Sequence, residues 1–215
     1  MIIEVVCFDM DGTLIRGTDS VEYLCGLNNK TKELQEIQAR ENSGEISWIE
    51  ADYHKVKLIA GLSLDAIEGK FSQGMRLIRN IEKVLEYLHE RNIKAVLITS
   101  GAIQVAEIMG KRFAFDGVFG GEYEVKDGKF TGEITTHMGE GGKLRHLSDF
   151  CKKANIPLYN CVAVGDSDSD IALFRECGKS IAINYSEVLQ GKASAYFNTD
   201  DLYDIIAILG RWLDE

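Results

Sequence analysis

Four stretches of the chain carry residue types that can do chemistry together: Asp9-Met10-Asp11-Gly12-Thr13, Thr99-Ser100-Gly101, Lys143 within Glu140-Gly141-Gly142-Lys143, and Gly165-Asp166-Ser167-Asp168-Ser169-Asp170. An aspartate after a strand is often only a turn former or a helix cap. The ordered combination is a different matter. If Asp9, Asp11 and Asp166 converge, each pair of charges 4 Å apart repels by about 4 kcal/mol at an effective dielectric near 20. Such a cluster needs a cation. A donor set of oxygens without His or Cys selects a hard one, Mg²⁺ first. Mg²⁺ and the Lys143 ammonium would make the pocket attractive to a phosphate dianion.

Each stretch requires an element to hold it. Ile2 to Phe8 is a short apolar run rich in β-branched residues that ends at Asp9, as expected of a buried parallel strand with a loop at its carboxyl end. Ala95 to Thr99, Cys161 to Val164 and Ile181 to Ile183 look the same. Helical periodicity lies between and after them: Ile81, Val84, Leu85 and Leu88; Leu144, Leu147, Phe150 and Cys151; Leu202, Ile205, Ile206 and Leu209. This alternation predicts an α/β fold with a doubly wound parallel sheet, whose ligands bind beyond the carboxyl ends of the strands. Residues 17–73 break the pattern. They are polar, helical in periodicity and without a strand run, and they predict a helical cap inserted into a core formed by 1–16 and 74–215. Tyr123 and Val125 alternate before Asp127-Gly128, which predicts a β-hairpin near 122–134.

Bulk properties narrow the partners. The 215 residues suffice for a core plus a small cap, and the net charge of −10 disfavours nucleic acid and anionic lipid. No signal peptide is visible, and no apolar run approaches the ~20 residues of a membrane span. The five cysteines include no CxxC pair and read as small buried hydrophobes in a reducing cytoplasm. The expected partner is a small phosphorylated metabolite, with no nucleic acid and no membrane, and the expected state is a monomer or homodimer.

These motifs resemble those of the haloacid dehalogenase superfamily. Phe8-Asp9-Met10-Asp11-Gly12-Thr13-Leu14 is similar to its first motif, Ile98-Thr99-Ser100-Gly101 to its second, Lys143 to its third, and Val164-Gly165-Asp166-Ser167-Asp168-Ser169-Asp170 to its fourth. Within it the chain most resembles the phosphoserine phosphatases, in the cap position, the Ser-Gly of the second motif, and the hairpin with Gly128-Lys129-Phe130-Thr131-Gly132.

The resemblance implies a Mg²⁺-dependent phosphomonoester hydrolase that works through a phosphoaspartyl intermediate, with O-phospho-L-serine as the expected substrate. Asp9 would be the nucleophile and a metal ligand. Asp11 would be the acid for the leaving alcohol, then the base for water, and would touch the metal through its backbone carbonyl. Asp166 would hold the metal. Ser100 and Lys143 would bind phosphate oxygens, and Gly12 and Gly101 would let backbone N–H groups approach them. Asp170 would orient Lys143 or assist the metal. Two departures bear on the substrate. Where those enzymes place a Glu for the substrate ammonium this chain has Thr18, with Asp19 beside it. Where they place an Arg for the carboxylate it has Lys55, with Trp48 nearby; Lys offers no bidentate fork. Ser169 stands where Asn is common. The alternatives are a phosphatase or phosphotransferase for another small phosphorylated metabolite and, more remotely, a non-catalytic phosphoacceptor or binding domain.

Overall fold

Val5–Phe8 forms β1, with all four residues buried. A strand buried on both faces needs no polar alternation, and its side chains divide between two apolar layers. Val6 and Phe8 join one, Val5 and Cys7 the other. The computed structural model describes residues 2–215. After β1 come helices α1 (Ser20–Leu27), α2 (Thr31–Asn42), α3 (Trp48–Lys55) and α4 (Leu64–Gly74). Then follow α5 (Ile81–His89), β2 (Lys94–Ala102), α6 (Ile103–Phe113), β3 (Gly117–Lys126), β4 (Lys129–Thr136), α7 (Gly142–Ala154), β5 (Cys161–Gly165), α8 (Ile171–Glu176), β6 (Lys179–Ile183), β7 (Ala195–Phe197) and α9 (Ile206–Asp214).

The sheet order is β4-β3-β2-β1-β5-β6-β7. Every pairing is parallel except that of β3 with β4. From β1 the chain proceeds first to β2 on one side and later to β5 on the other, so β1 is the topological switch point where α/β sheets bind ligands. Helices α5, α6 and α9 pack on one face, α7 and α8 on the other. No helix among the described residues is long and apolar enough to cross a membrane. All five cysteines are buried and free.

The hairpin predicted near 122–134 is larger and better integrated than expected. β3 starts at Gly117 and pairs with β2, so the hairpin forms the edge of the main sheet. Its turn has Asp127 at φ 50° and Gly128 at φ 72°, as a tight two-residue connection requires. The hairpin also grips the inserted helical segment: Gly61 N–H donates to the Phe130 carbonyl at 2.8 Å, Phe130 N–H to Leu62 at 2.9 Å, and Leu64 N–H to Gly128 at 2.9 Å. The two chain crossings into that segment lie side by side, with Arg16 N–H donating to the Arg76 carbonyl at 2.8 Å and Ile78 N–H to Leu14 at 2.9 Å.

Candidate active site

Asp9 is the first residue past β1, and its N–H donates to the Val164 carbonyl at 2.9 Å, which fixes it between β1 and β5. Lys143, in the first turn of α7, reaches it with its side chain. The buried ammonium lies 2.5 Å from Asp9 Oδ1 and 2.7 Å from Asp170 Oδ1. The second oxygen of Asp170 accepts the N–H groups of Asp166 and Ser167 at 3.0 and 3.2 Å. Asp170 therefore orients Lys143 and shapes the loop after β5, and both its oxygens are already engaged.

Asp166 completes an acidic triad: one oxygen each from Asp9, Asp166 and Asp170 lie within 4.8 Å of one another. Burial pushes the Asp9 carboxyl up while Lys143 pulls it back. Burial, then the charges of Asp9 and Asp170, push Asp166 well above the carboxylate range. For Lys143, burial opposes the charge, but Asp170 and Asp9 outweigh it and hold the pKa above that of an ordinary lysine. Three carboxylates against one ammonium leave an uncompensated negative charge in a buried, all-oxygen donor set, which fits a hard divalent cation. Gly12 makes room for Asp166. Its φ is +83°, and a Cβ there would stand 2.1 Å from Asp166 Oδ2.

Asp11, expected near the metal, is not part of this triad through its side chain. Its oxygens accept the Ser20 N–H at 2.7 Å and the Ser20 hydroxyl at 2.6 Å, and this pair of bonds turns the carboxylate toward α1; only its backbone carbonyl remains available to a metal. Burial and then the charge of Asp19 raise the Asp11 carboxyl to about 7, against the opposing hydrogen bonds of Ser20. Gly101 sits against this pair, since a Cβ there would be 2.5 Å from Ser20 Oγ.

A cavity of about 780 Å³ opens over these groups. Ser100, Gly101 and Lys143 line its floor. Asp19, Glu41, Trp48 and Asp52 face it from the inserted helices, and Tyr123 and Arg175 from the core. Two expected substrate contacts are placed elsewhere. Thr18 precedes the Asp19 cap of α1 and faces a separate surface groove, its hydroxyl 3.1 Å from Glu22 Oε2. Lys55 does not line the cavity, because Glu41 at 2.7 Å and Asp52 at 3.5 Å close around its ammonium. Trp48 does line it, its ring 5.3 Å from that of His137. The Gly139 N–H donates to His137 Nδ1 at 2.9 Å, which leaves Nε2 to donate to Asp52 Oδ2 at 3.0 Å. This contact ties α3 to the loop that leads into Lys143.

Sequence reasoning missed Ser20, Tyr123, Glu41, Asp52, His137 and Arg175. Only Ser20 had a signal, as a polar residue beside the Asp19 helix cap before an apolar run. Glu41, Asp52, Tyr123 and Arg175 reach the cavity through long-range packing, and His137 bonds Asp52 behind it.

Comparison with known proteins places this arrangement. The haloacid dehalogenase-like hydrolase family matches residues 6–175. The chain is 29% identical over 210 residues to a phosphoserine phosphatase of Saccharomyces cerevisiae, covering 97% of this chain and 68% of that one. It is 27% identical over 208 residues to a phosphoserine phosphatase of Archaeoglobus fulgidus, covering 95% and 59%; the chain thus spans less than two thirds of that relative's length. A solved structure of a phospho-aspartyl intermediate analogue of phosphoserine phosphatase shares the fold, with a TM-score of 0.83 and 23% identity over 97% of this chain and 99% of that one. The family match runs from within β1 into α8 and takes in every residue of the carboxylate–lysine cluster: the chain belongs to the haloacid dehalogenase-like hydrolase family.

Proposed function

We propose that the protein hydrolyses a small phosphomonoester through a phosphoaspartyl intermediate on Asp9, with O-phospho-L-serine the first substrate to test because its relatives carry that name. The observation that carries this reading is the division of labour between two buried carboxylates. Asp9 sits against the Lys143 ammonium, which favours its ionised, nucleophilic form. Asp11 is held near 7 beside Ser20, so that it can give up and take back a proton at neutral pH.

The inserted helices 17–73 serve as the cap over this centre. An Asp9 oxygen attacks phosphorus, the ester P–O bond breaks, and Asp11 protonates the departing alkoxide oxygen. Asp11, now ionised, takes a proton from water as that water attacks the phosphoaspartate; the P–O bond to Asp9 breaks and inorganic phosphate leaves. Lys143 and the Ser100 hydroxyl hold phosphate oxygens through both steps, where positioned charge counts most. Asp9, Asp166 and the Asp11 carbonyl would hold Mg²⁺, with Asp170 supporting the triad. When bound, Mg²⁺ supplies charge neutralisation for the phosphoryl oxygens.

The test is Mg²⁺-dependent release of phosphate from O-phospho-L-serine and from 4-nitrophenyl phosphate, with acid-quench trapping of phosphoenzyme. The expected result is activity lost in chelator and in Asp9→Asn, with the trapped phosphoryl group on the peptide that contains Asp9. Full activity of Asp9→Asn, or in chelator, overturns the reading.

A further inference from the structure

The far side of the cavity has a charge balance opposite to the one a carboxylate-bearing substrate needs. Asp19, Glu41 and Asp52 face the cavity from the inserted helices. Lys55, the lysine that pairs with this wall, is held behind it by Glu41 and Asp52. Glu41 uses only Oε2 on Lys55, and Asp19 uses Oδ1 to cap α1 through the Glu22 N–H. Each therefore keeps an oxygen for another donor. Arg175 also lines the cavity but is exposed on α8, where water screens its charge.

Two aromatic residues complete the wall. Trp48 presents an indole to the cavity. Tyr123 is only 7% exposed, lines the same cavity, and its hydroxyl has no hydrogen-bond partner among the described residues. A hydroxyl at a cavity wall that no protein group engages is free to bond a ligand there. An acidic rim with an indole face beside it suits a cation, through charge-assisted hydrogen bonds and a cation–π contact. A carboxylate in the same place would face three like charges and a lysine already paired twice.

Building on the phosphomonoesterase reading above, we propose that this subsite takes the ammonium of an aminoalkyl phosphate, a phosphomonoester that carries a positive charge at its far end and needs no carboxylate. Asp19 and Glu41 accept from the ammonium, Trp48 covers its apolar flank, and the Tyr123 hydroxyl bonds the linker or the ammonium. Lys55 is then a positioning residue, which holds Glu41 and Asp52 in place.

The experiment compares kcat/KM for O-phosphoethanolamine, O-phospho-L-serine, phosphoglycolate and 4-nitrophenyl phosphate, in the wild type and in Glu41→Gln. Wild type should favour O-phosphoethanolamine over phosphoglycolate by at least about tenfold, the scale of a charge-assisted hydrogen bond. Glu41→Gln should narrow that ratio by about tenfold, because it removes a negative charge from the wall and leaves Lys55 paired with Asp52 alone as its anion. Binding of the two charged compounds to Asp9→Asn, measured by calorimetry with Mg²⁺, gives the ranking without turnover. If no phosphomonoester is hydrolysed but O-phosphoethanolamine still binds more tightly than phosphoglycolate, the hydrolase reading fails and the subsite assignment stands. Equal or reversed preference for phosphoglycolate in both turnover and binding overturns the assignment, as does a Glu41→Gln loss that is the same on all four compounds.

Discussion

Ser20 holds both oxygens of Asp11, one with its backbone N–H at 2.7 Å and the other with its hydroxyl at 2.6 Å. The residue that opens the first inserted helix thereby orients the Asp11 carboxylate. Ser20 is fully buried, so water cannot substitute for the lost hydroxyl without rearrangement.

Ser20→Ala should lower turnover by roughly tenfold, the worth of one hydrogen bond to a charged group. It should also move the alkaline limb of the pH–rate profile upward. Burial already raises Asp11 to about 7, and the Ser20 bonds oppose that rise, so loss of the hydroxyl bond, with the N–H bond kept, favours the protonated acid further. The measurement is kcat/KM against pH for 4-nitrophenyl phosphate. A downward shift contradicts the assignment. Asp11→Asn, which removes the acid outright, should slow turnover by about 10²–10⁴-fold.

Lys143→Met should be both inactive and less stable. The ammonium offsets two buried carboxylates, and breaking a buried ion pair from one side costs about 3–5 kcal/mol. Urea denaturation in chelator measures this. A stability within ~1 kcal/mol of wild type would mean that Asp9 and Asp170 find other compensation.

Mg²⁺ should raise the melting temperature more at pH 8 than at pH 5. Burial raises the carboxyls of Asp9 and Asp166 above their ordinary value of 3.8. A carboxyl raised on folding binds more protons in the folded state than in the unfolded one. Its contribution is therefore present at low pH and is lost as pH climbs from the unfolded value through the raised folded one. Metal-free protein loses stability across that window, and a bound cation restores it by favouring the ionised forms. Thermal scans with and without Mg²⁺ at the two pH values check the sign.

Gly12→Ala should weaken Mg²⁺ binding at least tenfold. The new Cβ would fall 2.1 Å from Asp166 Oδ2 at a backbone φ of +83°, so the carboxylate or the loop must move, and positive φ adds strain for alanine. Calorimetric titration with Mg²⁺ reads the effect directly.

The parts of this molecule legible in the sequence are those whose neighbours are local. β1, β2, β5 and β6 announce themselves as short β-branched runs, and the α5 and α7 faces by their period. The carboxylate–lysine cluster follows from strand ends and one helix start, because topology brings Asp9 and Asp166 to one switch point and the first turn of α7 brings Lys143 to them. The far wall of the cavity did not follow. Whether Lys55 greets a substrate depends on Glu41 and Asp52, fourteen and three positions away, and only the packing of α2 against α3 decides that. Thr18 illustrates a different limit: one residue of offset at a helix cap exchanges an outward hydroxyl for the inward Asp19. β7, with three residues, and α8, with six, are too short to carry a period.

The grip of the β3–β4 hairpin on residues 61–64 has a mechanical consequence. The inserted helices are fastened at their paired chain crossings and again at this strap, so they behave as a beam clamped along one edge. Bending then concentrates toward α2, which carries Glu41, because α3 is held again by the Asp52–His137 bond. On the reading proposed above, the cavity would load and unload by flexing of that edge while the clamped hydrogen bonds stay closed, and Glu41 would travel with it.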